Sequence, residues 1–343
     1  MVCSRPRSIV LWFAILGALA AGCGGGGGGD GVNAELLKSG PVAESVTAAE
    51  KVSVAEFPKS EGKTLEQLLQ DASSQAQLAP GNGTLTVGPS RLAFAAIGQD
   101  GKPVYGPTVV YVAPSPGEAA VGPFAAPADP MVPQQKFLSK QAALSGDELQ
   151  AVYATTVPFP KAGKWSALSF TKTPDGLVAA TTSEIPVRKS SSIPAVGQTA
   201  PKATTLTNSS TGPGPIDTRD PKAPSLHEQS FDSVVGKKPV AILFASPKFC
   251  ISRVCGPVTD LLLQLQAAYG DEVAMIQQEA YSPKYPAPAP SMKQFGLVAT
   301  DGGFSEPWFF TVGTDGKIAG RLEGAFGINE MSRAIDSAIA AKK

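Results

Sequence analysis

The sequence predicts an all-β domain followed by an α/β domain, and three observations carry that reading. From Gly83 to about Lys189, short segments rich in Val, Thr, Tyr and Phe are broken every few residues by Gly and Pro. From Leu226 to Lys343, apolar runs of strand length alternate with amphipathic helical patterns. Between them, residues 190–225 are dense in Ser, Thr, Pro and Gly and offer little for a core to bury. A chain of 343 residues with 43% apolar content is long enough for two cores. Its 29 Lys and Arg balance 29 Asp and Glu, so no charge excess points to nucleic acid as a partner.

The chain opens on a targeting pattern. Arg5 and Arg7 precede the apolar run IVLWFAILGALAAG, which is short for a membrane span. The run ends in LAAGC, Leu19 to Cys23, which resembles the bacterial lipobox. That resemblance implies a signal peptide over residues 1–22 and a lipid on Cys23, which becomes the N-terminus. Gly24 to Gly29 and the polar stretch to Pro58 read as a flexible tether, residues 23–58. The folded body is then expected in the cell envelope, anchored on the extracytoplasmic side of the membrane. With Cys3 removed and Cys23 acylated, Cys250 and Cys255 remain, and outside the cytoplasm they are expected to pair.

Residues 59–189 read as a β-sandwich with a short preceding helix. In KTLEQLLQ, Thr64 and Gln67 have the spacing of a capping box, with Leu65, Leu68 and Leu69 at helical intervals. The strands follow as GTLTV, RLAFAAI, PTVVYVA, LQAVYATTVPF, KWSALSFT and LVAATTSEI, with turns at QDGKP, PSPG, KAGK and TPDG. The passage VPFPKAGKWSALSF resembles the late hairpin of immunoglobulin-like modules of bacterial envelope proteins, without the cysteine pair of the antibody type. Tyr153 and Trp165 fall at strand spacing and are expected to pack inward. Residues 190–225 are expected to form a linker.

The α/β domain, residues 226–343, begins with KPVAILFA, a continuous apolar run typical of a buried central strand. A loop carrying Cys250 leads to Cys255-Gly256-Pro257, where a helix starts that Gly270 stops. EVAMIQQEA reads as a strand, PSMKQFGL as a helix start and PWFFTVGTDGKIAGRLEG as a hairpin. The last segment reads as an amphipathic helix capped by Asn329. The strand before the cysteines, CGP opening a helix, and EPWFFTVGTDGKIAGRLEGAFG together resemble the thioredoxin-like fold. The resemblance implies thiol-disulfide exchange with another envelope protein, with Cys255 at the nucleophile position, Pro307 as a cis-proline beside it, and Glu306 and Trp308 flanking the substrate groove.

Three departures bear on function. The family's second cysteine is replaced by Val258, so Cys250, five residues upstream of Cys255, is the available resolving partner. Fully extended, that step spans roughly 17 Å against the ~4.4–6.8 Å a disulfide tolerates, so ISRV must fold back as a turn. A carboxylate at Glu306 disfavours a nearby thiolate. The helix N-terminus favours a Cys255 thiolate. The same two cysteines suit antioxidant chemistry through a sulfenic acid. The alternative is a non-catalytic interaction protein with a permanent Cys250–Cys255 disulfide. A further alternative is a copper chaperone of the thioredoxin fold, a family that uses close cysteines plus a later histidine, whereas the single histidine here, His227, comes earlier and reads as a surface residue. The sequence therefore calls for no metal and no cofactor.

Overall fold

β-branched and aromatic residues on both sides of the first-half strands give them two faces to bury, and in the computed structural model they pair into one nine-stranded sheet. Residues 32–142, 149–211, 214–281 and 285–342 are described; the proposed signal peptide, Cys23 and the glycine run lie outside them. Two short helices come first, α1 (Glu44–Ala49) and α2 (Leu65–Leu69). The strands are β1 (Ser74–Pro80), β2 (Leu85–Thr86), β3 (Gly88–Ile97), β4 (Thr108–Ala113), β5 (Val121–Ala125), β6 (Ala128–Pro130), β7 (Ala151–Phe159), β8 (Gly163–Thr173) and β9 (Gly176–Arg188). The capping box of α2 forms: Gln67 N–H donates to Thr64 Oγ1 at 3.2 Å, and Thr64 N–H to Gln67 Oε1 at 2.9 Å.

An immunoglobulin-like sandwich would divide these strands between two separately paired sheets. Here they form one path, β5-β4-β8-β9-β1-β3-β7-β6, with β2 beside β9. The path curls over its own core: Val110 and Val112 of β4 share a cluster with Phe94 of β3 and Tyr153 of β7, five places along the path. Trp165 packs edge-on against Phe159 in the same core, at 5.2 Å. On the opposite face, Val109 and Tyr111 meet Leu168, Phe170 and the buried leucines of α2.

The second half supplies α3 (Phe231–Val234), β10 (Val240–Phe244), α4 (Cys255–Tyr269), β11 (Ala274–Gln278), α5 (Pro290–Gln294), β12 (Trp308–Val312), β13 (Ile318–Glu323) and α6 (Ile328–Ala340). Its four strands run in the order β11-β10-β12-β13, with β10 parallel to β11 and the other pairs antiparallel. Apolar side chains cover both faces. Leu243 and Phe309 pack with Leu261, Leu265, Met331 and Ile335 of α4 and α6. Ile242, Phe244 and Phe310 pack with Met292 and Phe295 around α5.

Residues 32–343 cluster as one compact unit. Ala93, Met131 and Val152 of the first half lie in the same cluster as α4 and α6. Asp129 caps α6 from β6: its carboxylate accepts N–H bonds from Gly327, Asn329 and Glu330 at 3.1, 2.8 and 2.8 Å. Asn329 is thus inside the helix, not its cap, because Gly327 holds the cap position and its side-chain function is supplied from a distant strand. The tether expected to reach residue 58 is also packed from Val32 onward. Val32, Leu36 and Leu37 lie against the α4 core and Val46 and Ala49 of α1 are buried, because this stretch carries enough apolar residues to dock.

The described residues of 190–225 are likewise held. Gly197 and Ala200 donate N–H bonds to Ile318 and Gly316, covering the β13 edge. Ala203, Thr205, Asp217, Thr218, Arg219 and Ala223 are buried.

Candidate functional site

Strand directions decide what meets at the cysteines. Because β10 and β11 are parallel and β12 is antiparallel to β10, one sheet edge collects the C-terminal ends of β10 and β11 and the N-terminal end of β12. Ser246, Glu279 and Glu306 sit just beyond those three ends. The loop after β10 then folds back as the spacing requires. Phe249 and Cys250 donate N–H bonds to Ser246 O at 3.0 and 3.1 Å, and Arg253 to Cys250 O at 3.4 Å. Arg253 holds φ = 60°, the one left-handed non-glycine backbone among the described residues. Cys250 and Cys255 are joined as a disulfide with their Cα atoms 6.0 Å apart.

The two sulfurs are not equivalent. Cys250 is half-buried and its Sγ lies 3.3 Å from Ser252 Oγ, whereas Cys255 is 0% exposed. Cys255 is the first residue of α4, whose first turn carries no acidic residue to offset the positive end of the dipole. Gly256 permits a close approach there. A Cβ at this position would stand 2.6 Å from Gln141 O and 2.8 Å from Gln141 C, so the turn at residues 140–142 lies against the start of the helix.

Glu306 precedes a cis peptide bond to Pro307, as the resemblance implied. One Glu306 oxygen, Oε2, accepts Ser246 N–H at 2.7 Å. The other, Oε1, is buried without a partner. A Glu306 carboxylate oxygen and the two sulfurs lie within 4.8 Å of one another. Burial, and secondarily the Glu279 carboxylate, push the Glu306 carboxyl up to about 8. At neutral pH it is therefore mostly protonated. The repulsion of a Cys255 thiolate that the sequence suggests is muted by the cost of charging an acid in this site.

Glu279 lies deeper. It accepts Thr218 N–H and Oγ1–H at 2.8 and 2.9 Å, and burial pushes it up to about 7. Thr218 comes from the segment expected to be a linker, as does Arg219, whose Nε donates to Asp260 Oδ1 of α4 at 2.7 Å. Sequence reasoning assigns this stretch no role. Glu279 had a readable cue, a carboxylate at the end of an apolar strand, while Thr218 and Arg219 had none.

Two further expectations change. Trp308 is 1% exposed and stacks on Phe310 at 5.9 Å in the core, and the cavity its edge borders is lined by Asn82, Arg91, Arg321 and Glu323 and by neither cysteine. An aromatic at the start of a central strand buries more area inside than at a rim. Pro307 O accepts Gly324 N–H at 2.9 Å, which places this proline within the sheet's own bonding. His227 is 1% exposed rather than at the surface, because Leu226 beside it anchors its turn in the α4 core. Both its ring nitrogens lack hydrogen-bond partners, Asp217 Oδ2 is 3.7 Å from Nε2, and burial lowers its pKa. It is not among the groups near the sulfurs.

No protein-family model matches the chain, and no curated protein does. Among solved structures, the chain is similar to a thiol:disulfide interchange protein of the thioredoxin family from Chlorobium tepidum TLS, at 15% identity and a TM-score of 0.27. The match covers 42% of this chain and 99% of that one.

Proposed function

We propose that this is a lipid-anchored envelope protein whose second half is a thioredoxin-like domain performing thiol-disulfide exchange on another envelope protein through Cys250 and Cys255. The observation that carries the reading is the asymmetric disulfide: Cys250 is half-buried, whereas Cys255 is fully buried at a helix N-terminus. That asymmetry suits an exchange reaction, in which one sulfur is attacked and the other leaves.

The roles follow accessibility and reverse those expected from the family position. A partner thiolate attacks Cys250 Sγ, the Cys250–Cys255 bond breaks, and Cys255 leaves as a thiolate facing the positive end of α4. The partner's second thiolate then attacks the mixed disulfide and releases Cys250. The partner dithiol is oxidised by two electrons and the protein disulfide reduced by two. In the opposite direction Cys250 attacks and Cys255 resolves. The curled nine-stranded sheet, in place of a detached sandwich, holds the cysteine helix through the turn at Gln141.

Full burial of Cys255 favours one rival, a permanent disulfide in an interaction protein. Insulin reduction separates the two. Turnover by the wild type that disappears in both Cys250→Ser and Cys255→Ser supports exchange, and equal activity in all three chains removes it.

A further inference from the structure

We infer that Cys250, Cys255 and Glu306 of the reduced protein form a three-donor site for zinc. The inference rests on the pair being reducible, which thiol titration reports independently of any metal.

The donors are already assembled. The two sulfurs and a Glu306 carboxylate oxygen lie within 4.8 Å of one another. Tetrahedral zinc, with thiolates at ~2.3 Å and a carboxylate at ~2.1 Å, needs its donors roughly 3.6–3.8 Å apart. Once the S–S bond is broken, ordinary side-chain rotation spans that difference. One oxygen of the Glu306 carboxyl is held and the other is uncommitted. Ser246 N–H fixes Oε2 at 2.7 Å and leaves Oε1 buried with no partner. A buried oxygen left without a hydrogen bond calls for an explanation, and an ion held jointly with the sulfurs supplies one.

The donor set selects the metal. Two thiolates alone satisfy Cu(I), whereas two thiolates with a hard carboxylate oxygen suit Zn(II), with a fourth position left for water on the Cys250 side. His227, the chain's single histidine, is absent from the cluster, and Glu306 supplies the third donor. Loading requires a reductant: a dithiol such as dithiothreitol gives two electrons and two protons to the disulfide and is itself oxidised to a cyclic disulfide. Zinc then replaces the thiol protons, and the carboxyl proton where present, without further electron transfer.

The test is zinc competition against a chromophoric chelator, using the full chain with Cys3→Ser and Cys23→Ser so that Cys250 and Cys255 are its two thiols, reduced by dithiothreitol and freed of it under anaerobic conditions. One zinc per reduced chain and none per oxidised chain are expected. Glu306→Gln weakens binding about tenfold or more, with both thiols still titrating and circular dichroism unchanged. Glu306→His, which supplies a nitrogen donor, restores it. Cobalt in place of zinc gives a thiolate charge-transfer band in the reduced wild type and reduced Glu306→His, and none in the oxidised chain. Equal zinc affinity in Glu306→Gln and wild type overturns the three-donor site, as does equal binding by the oxidised chain. A Glu306→Gln chain that misfolds leaves Glu306→His as the deciding variant: no zinc bound by that variant, with both thiols titrating, overturns the assignment.

Discussion

Arg219 donates from Nε to Asp260 Oδ1 at 2.7 Å with both side chains out of solvent. The contact ties a Pro- and Ser-rich segment to the helix that Cys255 opens, and Asp260 Oδ2 also accepts Ser139 N–H at 2.6 Å. Removing one partner of a buried pair leaves an uncompensated charge, which costs ~3–5 kcal/mol. Arg219→Leu is therefore expected to lower unfolding stability by about that amount, and Arg219→Leu with Asp260→Leu to recover part of it. A denaturant titration showing no loss in the single variant contradicts this arrangement.

Gly256→Ala sets two effects against each other. Replacing glycine inside a helix ordinarily gains up to ~1 kcal/mol. Here the new Cβ meets Gln141 backbone at 2.6 and 2.8 Å, and overpacking of this kind costs ~1–3 kcal/mol. Backbone on both sides cannot swing away, so the net sign is destabilising. A raised melting temperature for the variant would show that the turn at Gln141 does not touch the helix.

Asp129 predicts a pH dependence of stability. Burial first, then the neighbouring Glu330 carboxylate, push its carboxyl from 3.8 up to about 7 in the fold, against the helix N–H groups and Arg333, which lower it. Glu330 is itself held by Arg91 at 2.6 Å. A folded pKa above the unfolded one means that the folded chain binds the extra proton, so the contribution is full below about pH 4 and is lost as pH rises through about 7. Glu279 and Glu306 are raised in the same direction. Unfolding free energy is expected to fall between pH 4.5 and 8, with a shallower fall in Asp129→Asn. An identical slope in variant and wild type would remove Asp129 as a cause.

The role reversal predicts which variant traps a partner. With Cys255 absent, the mixed disulfide on the half-buried Cys250 has no resolving thiol, so Cys255→Ser is expected to accumulate it. Cys250→Ser, left with a buried thiol, accumulates little. Non-reducing electrophoresis of envelope extracts reads the difference, and trapping by Cys250→Ser instead would return the attacking role to Cys255.

Local chemistry explains what the sequence made legible. The capping box at Thr64, the stop at Gly270 and the hairpin across Thr314–Lys317 follow from residues within a few positions of one another, whereas the cis bond at Pro307 was legible only through the resemblance of its surroundings to the thioredoxin-like fold. The Cys250 turn was foreseeable because a disulfide and a five-residue separation leave the chain little choice. What escaped notice depends on distant partners. Asp129 caps a helix that begins 199 residues later at Ile328, and nothing around Asn329 reveals the competitor. Thr218 and Arg219 sit in a low-complexity stretch whose composition hides two well-placed polar anchors. Whether strands close one curled sheet or two stacked ones is decided by long-range pairing, to which alternation along each strand is blind.

The reduction potential of the Cys250–Cys255 couple, measured by equilibrium with glutathione and dithiothreitol buffers, tests exchange chemistry most directly. An exchangeable pair gives a midpoint within the roughly −120 to −270 mV range of working oxidoreductases. A midpoint well below about −300 mV would mark a permanent bond and contradict the proposed function.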